Sequence, residues 1–147
     1  YYETRTAHGS TLSQMVHAWL HARLDRETSW HLFRASLASD INDVQEGTTP
    51  EGIHLGAMAG TVDLVLRCYG GIEIRSDVLF IDPVLPQELH ELKFSIIYRR
   101  QLLHIEITRE YLCVRLTPDA IQAMPVAIDV AGDFHVMEPG DTVRVPL

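Results

Sequence analysis

Basic residues are scarce in this sequence. Lysine and arginine together number 12 against 20 aspartate and glutamate residues, and the formal net charge at pH 7 is −8. The basic side chains form no stripe along the chain, and the pair Arg99-Arg100 stands alone. Proteins that bind nucleic acids or acidic membrane surfaces usually concentrate positive charge. The sequence therefore predicts neither kind of partner.

Cysteine is equally rare, and the sequence has no long uninterrupted hydrophobic run. Its two cysteines, Cys68 and Cys113, lack metal-ligand spacing and predict no disulfide framework, which favours a reducing compartment and a cytoplasmic location. The longest apolar segment, 53–69, is interrupted by a histidine and two charged residues. Such a segment is not expected to span a membrane.

The sequence also lacks an initiator methionine and a signal peptide at its start. It opens with Tyr1-Tyr2-Glu3-Thr4-Arg5, which resembles neither a natural N-terminus nor a targeting segment. We therefore expect this chain to be part of a longer protein. Its function is then expected to depend in part on residues that lie outside it.

Helical periodicity dominates the first part of the sequence. Apolar residues at helical spacing predict one helix over about 11–24, with Ser10 as its N-cap, and a second helix that begins after Asp25. The signal Thr49-Pro50-Glu51 predicts the start of a third helix, over about 50–69. That helix is apolar almost all round, which predicts that it is buried. Because three such helices cannot cover themselves, we expect them to belong to a larger helical body.

After Gly71 the hydrophobic period changes from 3.6 to 2, the period of β-strands. Short alternating segments, separated by proline and glycine, predict strands near 78–81, 92–98, 102–108, 111–116, 126–130, 134–136 and 143–145. Strands of this number and length predict a small antiparallel β-sandwich. The sequence therefore predicts an α+β chain with a helical region, 1–71, and a β-domain, 72–147.

The stretch His8-Gly9-Ser10-Thr11, just before the first predicted helix, is suited to binding an anion. Unpaired N–H groups and the positive end of the helix dipole gather at a helix N-terminus. Short connections make successive helices antiparallel, so the first and third helices are expected to run in the same direction. His54, in the first turn of the third helix, would then lie at the same end. The combination suits phosphate or another oxyanion.

Less specific interpretations of the same residues stay open. Ser10 and Thr11 are also typical capping residues, and a histidine on a buried helix is commonly a hydrogen-bonded core residue. Glu51 and His54 lie three residues apart, but no third ligand is evident, so we expect no metal site. No carboxylate near the loops is singled out as the acid of a glycosidase.

Several ordered segments resemble glycoside hydrolase family 65. They are Tyr1-Tyr2-Glu3-x-Arg5-Thr6-x-His8-Gly9-Ser10-Thr11-Leu12-Ser13, Asp40-Ile41-x-Asp43-Val44-Gln45, and Thr49-x-Glu51-Gly52-Ile53-His54-Leu55-Gly56-Ala57-Met58-Ala59-Gly60-Thr61. In the predicted β-domain, Phe80-Ile81-Asp82-Pro83-x-Leu85-Pro86 and the segment 92–99 resemble the C-terminal domain of that family. The resemblance covers essentially the whole chain.

The resemblance implies a specific architecture and set of partners. The helical region would supply the last helices of an (α/α)6 catalytic barrel, followed by a small antiparallel β-sandwich as C-terminal domain. The partners would be a disaccharide, inorganic phosphate, the rest of the barrel and an N-terminal domain. Some family members are dimers, so a homodimer is one expected assembly.

The resemblance also implies a reaction. Family phosphorylases are inverting enzymes, in which phosphate attacks the anomeric carbon and yields β-glucose 1-phosphate and a free sugar. The phosphate would bind His8, Gly9, Ser10, Thr11 and His54, with no cofactor and no metal. The general acid, a glutamate, would lie upstream of Tyr1, so this chain alone is expected to be inactive. A hydrolase of the same family, or a non-catalytic structural module, is the alternative.

Overall fold

Helices precede strands along the chain, which has the α+β fold that the sequence predicts. The computed structural model describes residues 10–42, 52–118 and 124–147. Two compact units divide the chain, Tyr1–Cys68 and Tyr69–Leu147. The first contains the helices and the second contains the strands.

Three α-helices build the first unit: α1 (Thr11–His21), α2 (Arg26–Ala38) and α3 (Leu55–Asp63). The first two begin at the predicted caps. The Oγ of Ser10 accepts the N–H of Leu12 at 3.3 Å, and Asp25 accepts the N–H of Thr28 at 3.0 Å. Each bond satisfies a backbone donor that has no acceptor inside its helix. None of the helices in the described ranges has the length and hydropathy that crossing a membrane requires.

The predicted start of the third helix is wrong. Residues 52–54 are not helical, Gly52 has a φ of +127°, and His54 stands at the N-cap position of α3. Pro50 and Glu51, which gave the start signal, lie outside the described residues. A residue with this φ cannot continue a right-handed helix. The helix-start signal at Thr49-Pro50-Glu51 therefore did not predict the loop conformation of Gly52, which only glycine adopts readily.

Beyond α3 the chain passes into a π-helical segment, Leu64–Tyr69, which ends before Gly70 and Gly71 as the sequence predicts. The burial of the third helix on all sides stays a prediction, because it depends on a larger helical body that the described residues do not include. The side chain of Leu55 is 69 % exposed and that of Val62 is 60 % exposed. The described residues leave part of this helix surface uncovered.

Small residues allow the helices to pack closely. The Oγ of Ser29 on α2 donates to the carbonyl oxygen of Ala18 on α1 at 2.7 Å. A Cβ atom added to Gly56 of α3 would lie 3.8 Å from Leu12, and one added to Gly60 would lie 2.6 Å from Cγ of Met15. Leu12 lies near Gly56, and Met15, further along α1, lies near Gly60, further along α3. The two helices therefore run in the same direction, as expected.

The second unit is a β-sandwich of two four-stranded sheets. One sheet has the order β1-β2-β6-β7 and the other has the order β3-β4-β5-β8. The strands are β1 (Ile72–Arg75), β2 (Val78–Ile81), β3 (Glu91–Tyr98), β4 (Gln101–Thr108), β5 (Tyr111–Leu116), β6 (Val126–Val130), β7 (Asp133–Met137) and β8 (Thr142–Pro146). The predicted sandwich is confirmed, with two additions. Strand β1 was not expected, and β2 pairs with β6 in parallel.

Alternating apolar residues from both sheets form one core between them. Leu79 and Ile128 contribute from the first sheet, and Leu103, Ile105 and Val114 from the second, each at most 2 % exposed. Two-residue turns with positive φ connect three of the hairpins: Ser76-Asp77, Arg99-Arg100 and Ala131-Gly132. These turns match the twist of the flanking strands.

Candidate functional site

The N-terminus of α1 presents the first group of the predicted site. Ser10 has an extended backbone (φ −139°, ψ 136°) and is exposed. Its carbonyl oxygen accepts the N–H of Ser13 at 3.0 Å and the hydroxyl of Ser13 at 2.8 Å. The Oγ atom is the acceptor in its bond with Leu12, so this bond does not use the hydroxyl hydrogen, which a ligand could accept.

The other residues predicted around this helix differ in their accessibility. Thr11 is 5 % exposed, so its hydroxyl is buried in this structure. His8 and Gly9 lie outside the described residues, and their part in an anion site stays a prediction. The described contribution of this loop is therefore the hydroxyl of Ser10.

His54, at the N-terminus of α3, is held by a carboxylate that follows α2. The Nδ1 atom of His54 lies 2.5 Å from Oδ1 of Asp40. The backbone N–H of His54 also donates to both carboxylate oxygens of Asp40, at 3.2 Å and 3.1 Å. The side chain of His54 is 26 % exposed and that of Asp40 is 11 % exposed. One carboxylate therefore binds the same histidine at two points.

The hydrogen bond from the His54 ring lowers the pKa of the Asp40 carboxyl, and the backbone N–H of His54 adds to this effect. The carboxylate also lies at the positive end of the α3 dipole. An ionised carboxylate can only accept hydrogen bonds, so Nδ1 of His54 carries a proton. The other ring nitrogen, Nε2, has no protein partner within the described part of the chain.

Ser10 and His54 lie at the same end of the helical unit, because α1 and α3 are parallel and Leu12 faces Gly56. A hydroxyl donor, an oriented imidazole and two helix N-termini thus lie at the same end of the helical unit. Hydrogen-bond donors and dipoles of this kind bind an oxyanion without lysine or arginine. Over 10–42, 52–118 and 124–147, no three His, Cys, Asp or Glu side chains form a metal-binding cluster.

Asp40 is the site residue that sequence reasoning missed. It belongs to a segment with family resemblance, yet nothing in its local pattern assigns it a role. A signal was available in the helix directions. Antiparallel neighbours bring the C-terminal end of α2 beside the N-terminal end of α3, so a carboxylate after α2 can reach His54.

Residues 1–63 match the glycosyl hydrolase family 65 central catalytic domain, and residues 72–136 match the C-terminal domain of the same family. The chain therefore belongs to glycosyl hydrolase family 65, as its sequence motifs predict.

Known proteins place the chain within this family. It is 45 % identical to an uncharacterized glycosyl hydrolase of Mycobacterium tuberculosis, over 99 % of this chain and 11 % of that protein. It is 34 % identical to trehalose 6-phosphate phosphorylase of Lactococcus lactis, over 82 % of this chain and 16 % of that protein. A solved structure of a candidate kojibiose phosphorylase from the human microbiome has the same fold, with a TM-score of 0.81. That match has 23 % identity over 100 % of this chain and 19 % of the other. The chain thus spans between a tenth and a fifth of the length of these proteins.

Proposed function

We propose that this chain is the C-terminal part of an inverting disaccharide phosphorylase that acts on α-glucosides. Inorganic phosphate attacks the anomeric carbon of the substrate and displaces the second sugar. The carbon–oxygen glycosidic bond breaks while a carbon–oxygen bond to phosphate forms on the opposite face. The products are β-glucose 1-phosphate and a free sugar.

The observation that carries this proposal is that Ser10 and a carboxylate-oriented His54 stand at the N-termini of two parallel helices, at the same end of the helical unit. A phosphate nucleophile must be held in line with the anomeric carbon, and a fixed hydroxyl, imidazole and helix dipoles can do this. The sequence relatives named as phosphorylases support the same assignment. We assign phosphate binding to Ser10 and His54, to His8 and Gly9 as the family motif implies, and to Thr11 through its backbone N–H, since its hydroxyl is buried.

The proton that the leaving sugar needs comes from outside this chain. A glutamic acid upstream of Tyr1 would protonate the glycosidic oxygen, as general acids do in inverting glycosidases. No metal or other cofactor takes part, and phosphate is the co-substrate. The 147-residue chain by itself is then inactive.

The exposed apolar side chains of the helices support a place in a larger barrel. Leu12, Val16 and Trp19 lie along one side of α1 and are each at least 45 % exposed. They line, with Met15 and Gly60, an apolar groove of about 260 Å³ between α1 and α3. We propose that the preceding helices of an (α/α)6 barrel cover this surface.

A family hydrolase is the alternative, and Asp40 is the residue that bears on it. An inverting hydrolase needs a second carboxylate that activates water. Asp40 is a carboxylate at the N-terminus of α3, but both of its oxygens already accept hydrogen bonds from His54. It therefore fits the role of a histidine partner better than that of a free base, which favours the phosphorylase.

The test uses the full-length protein with maltose, trehalose and kojibiose, each with and without inorganic phosphate. We expect one of them to yield β-glucose 1-phosphate only when phosphate is present, with the anomer assigned by proton NMR. Release of two free sugars at the same rate without phosphate would contradict the proposal and favour the hydrolase.

A further inference from the structure

Asp40 fixes His54 in one orientation. Its carboxylate accepts hydrogen bonds from both the backbone N–H and the ring Nδ1 of His54, so it holds the main chain and the side chain of that residue together. A half-turn of the imidazole would replace Nδ1 by a carbon atom and break the 2.5 Å contact. The direction in which Nε2 points is therefore set by Asp40.

Asp40 is itself held by the turn that follows α2. The N–H groups of Ile41 and Asn42 both donate to the carbonyl oxygen of Ala38, at 3.0 Å and 2.9 Å. The hydroxyl of Ser39 donates to the carbonyl oxygen of Ser36 at 2.7 Å. Because the backbone on both sides of Asp40 is hydrogen-bonded, its carboxylate is a fixed support for the histidine.

The proton on Nδ1 determines what Nε2 can do. A neutral ring then offers the Nε2 lone pair to a P–OH group, and a protonated ring donates from Nε2 to a phosphate oxygen. Without the carboxylate, the other tautomer and the flipped ring become accessible, and part of the population loses this contact. Carboxylates that orient metal-binding histidines raise metal affinity without touching the metal, and the same kind of support would serve a histidine that binds phosphate.

We propose that Asp40 is a positioning residue that acts through His54, holding Nε2 of the ring toward the bound phosphate. The proposal rests on the proposed function, because it assigns phosphate as the group that Nε2 meets. Asp40 does not contact phosphate, and its effect on phosphate affinity passes entirely through the imidazole. A role limited to capping α3 would leave phosphate affinity unchanged.

The test compares Asp40→Asn with the wild type in the full-length protein. Asparagine can still accept the backbone N–H at the helix N-terminus, but it removes the charge that fixes the ring. We expect the KM for inorganic phosphate to rise about 10- to 100-fold. The KM for the disaccharide should stay within about twofold of the wild-type value, because the substitution is not expected to change the contacts that bind the disaccharide.

Asp25→Asn is the matched control. Asp25 also accepts a backbone N–H at a helix N-terminus, on α2, and a side-chain hydrogen bond from Thr28. This variant should leave both KM values unchanged. If Asp25→Asn raised the KM for phosphate as much as Asp40→Asn does, a general effect of helix capping would explain the result and the proposal would fail.

A double-mutant cycle tests whether Asp40 acts through the histidine. His54→Ala and the double variant His54→Ala/Asp40→Asn should show the same KM for phosphate, because the carboxylate has no ring left to orient. Additive increases would overturn the proposal. If Asp40→Asn unfolds, Asp40→Glu makes the same test, since one added methylene displaces the ring and should also raise the KM.

The outcomes separate this inference from the proposed function. A wild-type protein that forms β-glucose 1-phosphate, together with an unchanged KM in Asp40→Asn, would overturn the inference and keep the function. A wild-type protein that releases two sugars without phosphate would overturn both.

Discussion

The two units differ in how completely they cover their apolar residues. In the β-unit, residues such as Leu79, Leu103 and Ile128 are fully buried between two sheets. In the helical unit, Leu20 is 55 % exposed and Leu24 is 90 % exposed. The β-unit also exposes apolar side chains, such as Ile97 at 78 % and Phe134 at 59 %, but its buried residues form one core cluster between the two sheets.

This difference suggests that the two units have different roles. The candidate site, with Ser10 and His54, belongs to the helical unit, whose open apolar surface suits completion by further protein. The β-unit has the closed core expected of a supporting domain. Residues that bind ligands are then expected in the unit that is less stable alone.

The largest expected effect is at the start of the β-unit. Gly71 has a φ of +68°, and a Cβ there would lie 1.9 Å from the backbone oxygen of Asp82. We expect Gly71→Ala to lower the free energy of unfolding of the β-unit by about 3–5 kcal/mol, because left-handed strain and a backbone clash add. Urea unfolding followed by circular dichroism measures this loss.

Gly132→Ala is the control for Gly71→Ala. Gly132 also has a positive φ, +93°, but a Cβ there would meet nothing within 4 Å. Only the backbone strain remains, so a loss of about 1–2 kcal/mol is expected. Equal losses in the two variants would show that the contact with Asp82 does not constrain the chain.

A second prediction compares the same substitution in the two units. Leu103→Ala, at a fully buried site, should destabilise the β-unit by about 2–5 kcal/mol. Leu20→Ala, at a half-exposed site, should change the stability of the 147-residue chain by no more than about 0.5 kcal/mol.

The Leu20→Ala substitution is also made in the full-length protein, and its effect on stability is compared with the effect in the 147-residue chain. If the rest of a barrel covers α1, the loss should rise toward that of a buried leucine, about 2 kcal/mol or more. Thermal unfolding of the Leu20→Ala variant and of the wild type, in the 147-residue chain and in the full-length protein, gives the two values. A full-length loss as small as that in the short chain would mean that Leu20 stays exposed.

The smallest expected effect is the pH dependence that Asp25 gives to the stability of α2. The hydroxyl of Thr28, followed by its backbone N–H, lowers the pKa of the Asp25 carboxyl. Because the folded pKa lies below the unfolded one, Asp25 stabilises α2 at pH above its ordinary value of about 3.9. That contribution is lost as the pH falls through the lowered folded pKa.

Asp25→Asn provides the comparison for this pH effect. Asparagine keeps a cap acceptor but does not titrate, so the helical signal of the variant should depend less on pH below about 4 than that of the wild type. Far-ultraviolet circular dichroism between acid and neutral pH measures this difference. Identical acid profiles would show that the Asp25 carboxylate contributes nothing to the stability of α2.

Most of the fold could be predicted from local patterns. The caps at Ser10 and Asp25 and the strands from β2 onward carry their own signals in neighbouring residues. Strand β1 (Ile72–Arg75) was not predicted, although its apolar and charged residues alternate, because four residues are too few for a clear period and its turn, Ser76-Asp77, lacks glycine. The parallel pairing of β2 with β6 depends on strands far apart in sequence.

The candidate site could likewise be predicted only in part, because some of its contacts join residues far apart in sequence. The helix N-termini and the hydroxyl of Ser10 follow from the sequence, and so does the shared direction of α1 and α3. The start of α3 does not, because Gly52 adopts a positive φ that its local signal did not predict. The role of Asp40 does not either, because it depends on a contact across 14 positions of the sequence.

Hydrogen–deuterium exchange tests the central claim most directly, namely that the β-unit is complete and the helical unit is completed by other protein. In the 147-residue chain, amides of α1 should exchange at least about 100-fold faster than those of β4. In the full-length protein, α1 should be protected nearly as strongly as β4. Equal protection of α1 and β4 in the short chain would contradict the account.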